Sequence, residues 1–163
     1  MESSSSSLLT IRDIIDFAVM TENKTEDLYD GLSKLMKSAE TRDLFITFAG
    51  EESKHSSIFK NMLLDFGKNI YESEPVPEHI HFLNIYINGL MFNKDILSKK
   101  ISRIIDIESV FEFLTGIELD TILFYNEITG FMAEDHKILI KNIIEEERRH
   151  FVRIMQIKQM KDY

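Results

Sequence analysis

The chain has 163 residues, enough for one hydrophobic core, with a 44% hydrophobic fraction that excludes wholesale disorder. A net charge of −9 and a pI near 5.0 argue against a nucleic-acid partner. The absence of cysteine removes disulfides, thiolate metal sites and cysteine nucleophiles together, and fits a reducing, cytoplasmic setting.

Met1 to Ser7 is Met-Glu followed by five serines, with neither the basic start nor the apolar run of a secretory signal. Residues 1–9 are expected to be a flexible N-terminus, and residues 10–163 a single domain. Thr10 is a plausible N-cap for a first helix of about 27 residues. Ser38 to Thr41 can turn the chain into a second helix ending near Gly67. A connection follows from about residue 68 to 105, holding the only two prolines and two shorter helical pieces, Phe82–Met91 and Lys94–Ile104. Asp106 offers the N-cap of a third long helix, which Gly130 closes after about Thr129. A fourth runs from about Ala133 to Met160. No apolar stretch is long enough to span a membrane. The expected fold is all-α: a four-helix bundle of two helical hairpins joined by a long crossover. A helix of 27 residues is roughly 40 Å long, and a crossover of that size can return along it.

Stepping alternately by three and four residues along each long helix gives its core seam. The first reads Ile11, Ile15, Ala18, Glu22, Thr25, Tyr29, Leu32, Met36. The third reads Ile107, Phe111, Leu114, Glu118, Thr121, Tyr125, Ile128, Met132, matching it slot for slot at an offset of 96. The second helix gives Phe45, Phe48, Glu52, His55, Phe59, Met62, Phe66. The fourth gives Ile140, Ile143, Glu147, His150, Ile154, Ile157, at an offset of 95. The chain is thus one hairpin written twice, each copy placing a Glu and then a Glu-x-x-His on its inward seam.

Those polar residues occupy apolar positions, where an ionised carboxylate is costly unless it is paired or binds a metal. Glu22, Glu52, His55, Glu118, Glu147 and His150 are therefore candidate ligands of two metal ions. Four carboxylates balance two divalent cations, and oxygen with imidazole suits iron or manganese, with zinc possible. Glu-x-x-His alone is a weak motif. A third copy, Glu78 to His81 beside Pro77, has no matching upstream helix and reads as surface. Tyr29 and Tyr125, seven residues after their Glu, are either core tyrosines or candidate catalytic residues that hydrogen-bond a ligand carboxylate on the facing helix. Thr25 and Thr121 read as small packing residues, and either could touch bound oxygen species. Glu26 and Glu127 read as solvated, as does the Arg148-Arg149 pair.

The ordered set Glu22-x6-Tyr29, Glu52-x-x-His55, Glu118-x6-Tyr125 and Glu147-x-x-His150 resembles the rubrerythrin-type branch of the ferritin-like di-iron superfamily, over both hairpins. The resemblance implies a ferritin-like bundle with two iron ions. Glu52 and Glu147 would bridge them, Glu22 and Glu118 would be terminal ligands, and each His would hold one ion. It implies a di-iron peroxidase or ferroxidase, oxidising Fe(II) with hydrogen peroxide or dioxygen in peroxide detoxification or iron handling. Two departures stand out. Rubrerythrins carry a rubredoxin domain with four cysteines, so the electron donor here is expected to be a separate, rubredoxin-like protein. They also carry an additional Glu where this chain has Thr121, which points to a symmetric six-ligand site. An oxygenase or hydroxylase of an organic substrate, or a metal-binding helical protein without turnover, is the alternative. The apolar crossover, with Ile80, Phe82, Leu83, Ile85, Tyr86, Ile87, Leu90, Met91 and Phe92, caps the bundle or forms a homodimer interface.

Overall fold

The computed structural model describes residues 10–65, 77–89 and 106–160. Five helices appear among them: α1 (Ile11–Ser33), α2 (Ala39–Leu64), α3 (Pro77–Gly89), α4 (Ile107–Thr129) and α5 (Glu134–Met160). The fold is all-α, with no strand among the described residues. The N-terminus, Phe66 and the expected helical piece at Lys94–Ile104 lie outside them.

Local chemistry sets the helix ends. The Thr10 hydroxyl accepts from the Asp13 N–H, and the Asp13 carboxylate accepts from the Thr10 N–H, closing a capping box. The Thr10 hydroxyl also donates to the Asp13 carboxylate, and that bond first, then the one from the Thr10 N–H, holds Asp13 below the usual carboxylate range. Asp106 and Ser109 repeat the arrangement at the start of α4. Ser38 caps α2 through the Thr41 N–H. Pro77 opens α3 at a position where its missing N–H costs nothing. α3 therefore begins five residues before the expected Phe82, its first turn being polar and invisible to apolar periodicity.

The first helix is shorter than expected. Leu35 and Met36 donate their N–H groups to Leu32 and Ser33, three residues back, so the last turn tightens and the α-helix stops at Ser33. Leu35 is thrown outward at 73% exposure, while Met36 still reaches the core.

α1 packs along α2 and α4 along α5, and the two hairpins meet where α2 lies beside α5. Almost every described seam residue is buried; Leu32 and Ile107 are half-buried. The apolar ones form two clusters. One contains Ile14, Ile15, Phe59, Phe124, Ile128 and Ile143, and it also receives Ile80, Leu83 and Ile87 from α3. The other contains Phe45, Phe48, Phe111, Leu114 and Ile154. α3 thus covers one end of the bundle. Its Tyr86 hydroxyl donates to the Asp120 carbonyl of α4 at 3.1 Å, and its Phe82 and Ile85 remain exposed. No helix among the described residues is long and apolar enough to cross a membrane.

Candidate metal centre

Between the two apolar clusters lies a polar layer. Glu22 comes from α1, Glu52 and His55 from α2, Glu118 from α4, and Glu147 and His150 from α5. Each is at most 1% exposed. The i, i+3 spacing sets each Glu and its His on one helix face, and the antiparallel hairpins bring the four helices to one level. The structure brings all six sequence-predicted ligand residues together.

Their atoms are ordered about two centres. His55 Nδ1 lies 3.2 Å from Glu52 Oε2, 3.0 Å from Glu147 Oε1 and 3.6 Å from Glu22 Oε2. His150 Nδ1 lies 3.1 Å from Glu52 Oε1, 3.2 Å from Glu147 Oε2 and 3.9 Å from Glu118 Oε2. Glu52 and Glu147 each turn one oxygen to one imidazole and the other oxygen to its twin. Two groups of four ligand atoms result, each within 4.8 Å, and these two carboxylates belong to both.

The residues fit metal ions by a second observation. Glu52 Oε1, Glu118 Oε2, Glu147 Oε1 and His150 Nδ1 are buried with no hydrogen-bond partner among the described residues. Atoms so close without aligned hydrogen bonds converge on a common point, as donors to an ion do. Orphaned polar atoms in a dry core otherwise cost about 1–3 kcal/mol each.

The electrostatics agree. Burial, with the charges of Glu52 and Glu147, raises Glu22 and Glu118 well above the usual carboxylate range. Burial alone would depress the two imidazoles, but the carboxylates around them, Glu147 first, hold both firmly protonated. Burial likewise opposes ionisation of Glu147, and the imidazoles of His150 and His55 close beside its carboxylate prevail, keeping it below the ordinary range. The layer gathers positive charge. Cations at that position, protons or metal ions, would offset the crowded carboxylates.

Tyr29 and Tyr125 are fully buried and cross between hairpins: Tyr29 donates its hydroxyl to Glu118 Oε1, and Tyr125 donates to Glu22 Oε1. In each case the other carboxylate oxygen faces the cluster. Burial, then the neighbouring carboxylate, pushes both phenols well above their ordinary range. Thr25 donates its hydroxyl to the Thr21 carbonyl within α1, and Thr121 is buried. Glu26 and Glu127 are half-buried and stand outside both ligand groups; Glu127 lies 3.2 Å from His79 Nε2. Glu78 and His81 are exposed. Arg148 and Arg149 are exposed and pair with Glu145 and Glu146.

Two residues escaped the sequence reading. His55 Nε2 lies 2.9 Å from Glu146, and His150 Nε2 lies 2.7 Å from Glu51. The signal was present as Glu-Glu-x-x-His, at Glu51–His55 and again at Glu146–His150.

A 2.30 Å crystal structure from Thermotoga maritima, described as a candidate ferritin-like diiron-carboxylate protein, is similar in fold. Its TM-score is 0.65 at 22% identity, over 93% of this chain and 95% of that one. No curated protein matches the chain. Among family models, that of rubrerythrin matches residues 13–158, both hairpins and all six ligand candidates included. The chain belongs to the rubrerythrin family.

Proposed function

We propose that Glu22, Glu52, His55, Glu118, Glu147 and His150 hold two iron ions, and that the protein oxidises Fe(II) with hydrogen peroxide or dioxygen. The observation that carries this reading is the straddling of Glu52 and Glu147, each with one oxygen toward either imidazole. Such carboxylates hold two ions as neighbours rather than as independent sites. A neighbouring pair of ferrous ions supplies two electrons, matching hydrogen peroxide plus two protons going to two waters.

The chain's own groups prepare that chemistry. Glu52 and Glu147 fix the pair, and carboxylates tolerate a change in ion charge by shifting between chelating and bridging modes. The Tyr29 and Tyr125 hydroxyls occupy the outer oxygens of Glu118 and Glu22, so the inner oxygens stay aimed at the cluster. Phe48, with its ring centroid 4.1 Å from that of His150, and the apolar clusters on either side keep bulk water out. Returning the pair to the ferrous state takes two electrons from a separate donor, a thiolate-bound iron carrier being one such class. The 163 residues hold no cysteine to build one.

The test is to load the protein anaerobically with Fe(II), count the bound ions, and mix with hydrogen peroxide or, in parallel, dioxygen. Two irons per chain and a rapid rise in ferric absorbance are expected. Bound iron that remains ferrous under both oxidants would overturn the proposed reaction while leaving the metal centre standing.

A further inference from the structure

Glu51 and Glu146 each sit one residue before a shared carboxylate, about 100° around the helix from it, and so cannot point into the seam. They lie instead where α2 and α5 run side by side. Each reaches the imidazole of the opposite hairpin: Glu51 accepts from His150 Nε2 and Glu146 from His55 Nε2. The inward nitrogen, Nδ1, is the one that faces Glu52 and Glu147 in both cases.

We propose that Glu51 and Glu146 are positioning residues, which fix the rotation of the two imidazoles and commit Nε2 to a proton so that Nδ1 is the metal-donor atom. An ionised acceptor on Nε2–H also increases the electron-donating strength of the ring. Two features separate this from chance surface pairing. The contact occurs twice, in reciprocal form. The imidazoles are almost wholly buried, whereas the Glu51 and Glu146 side chains are 28% and 32% exposed. An ionised carboxylate is cheap at that rim and expensive one layer further in. Glu146 also reaches Arg149 at 3.4 Å, on the solvent side.

The metal arm of the test rests on the two-ion reading; the second arm does not. In the first arm, Zn(II) affinity is measured by chelator competition for the wild type, Glu51→Ala, Glu146→Ala and Glu51→Gln. Each alanine variant should weaken binding by about ten- to a hundredfold. Glu51→Gln, which keeps an acceptor oxygen, should recover most of the loss. Alanine variants that are helical by circular dichroism yet within about twofold of wild type would overturn the proposal, and so would a glutamine variant as weak as alanine.

In the second arm, 15N-histidine spectra of the metal-free protein follow exchange of the two Nε2–H protons. Glu51→Ala should expose the His150 proton to faster exchange and spare that of His55; Glu146→Ala should do the reverse. Unchanged exchange in both overturns the proposal even if the wild type binds no metal. A wild type that takes up no Zn(II), Fe(II) or Mn(II) refutes the metal centre instead, and leaves the exchange arm to decide the role of Glu51 and Glu146.

Discussion

Replacing Tyr29 with Phe removes one oxygen from the middle of the molecule and leaves the ring its packing. The ring lies 5.7 Å from Phe45 and 5.3 Å from Phe48, centroid to centroid, and both contacts survive the change. No side-chain volume of consequence is lost, so a cavity does not enter the calculation. What changes is Glu118. Its Oε2 already has no hydrogen-bond partner among the described residues, and Tyr29 is the partner of Oε1. Stripping the second oxygen in a fully buried site costs about 1–3 kcal/mol. For a chain of this length, where 1 kcal/mol moves the midpoint by roughly 2–4 °C, that is a drop of about 2–12 °C. Tyr125→Phe, acting on Glu22, should cost the same by symmetry. The assay is thermal and urea denaturation of chelator-treated protein, with an unchanged urea slope confirming that the folded state is intact. If both variants melt within about 1 °C of wild type, the inter-hairpin bonds contribute nothing and the account of the polar layer is wrong.

Further predictions concern the same layer and its supports. Raised Glu22 and Glu118 ionise on unfolding once the pH exceeds their ordinary value of 4.5, so they withdraw stability as pH rises. The stability from His55 and His150 is complete below 6.5 and falls above it. Glu147, held low, contributes fully above 4.5 and loses its contribution only as pH falls. The midpoint of chelator-treated protein should therefore drop between pH 6.5 and 9, while the stabilisation by added Zn(II) grows because the ions displace those protons. A flat profile for both would contradict the assignment. Glu52→Ala should abolish binding of both ions, whereas Glu22→Ala should spare one, as counted by metal analysis after Fe(II) or Co(II) loading; one ion retained by Glu52→Ala would deny it the shared role. Phe45→Ala, at a fully buried position stacked on Tyr29 and Phe111, should cost about 3–5 kcal/mol in urea, and a loss below about 1 kcal/mol would show that this cluster is not close-packed.

The six ligand candidates were legible because a helix repeats every 3.6 residues, and a Glu on an apolar seam needs a reason. The duplication then turned two weak motifs into one pattern. Glu51 and Glu146 were not legible by that route. Periodicity places them on a flank, and only the pairing of α2 with α5 shows that a histidine from the other hairpin lies alongside. The end of α1 was missed for a different reason. The sequence from Lys34 to Met36 continues the seam, but the tightened last turn at Ser33 breaks the helix and still delivers Met36 to the core. The polar start of α3 at Pro77 carried no apolar signal, and its capping role emerges only from Ile80, Leu83 and Ile87 packing on the bundle. The ends of Glu22 and Glu118 show the limit most clearly. That each is held by the other hairpin's tyrosine depends on which helices face each other.

Each hydrogen bond from Tyr29, Tyr125, His55 and His150 to its partner across the site has a twin related by exchanging the two hairpins. The site therefore has the symmetry of a twofold dimer, although it is written on one chain. The described part of the crossover, α3, supplies none of the atoms in either ligand group. Joining the two hairpins in one chain gives the polar layer proximity. That linkage converts the meeting of two half-sites from a bimolecular event into an intramolecular one, at an effective concentration that separate hairpins would reach only in a concentrated solution.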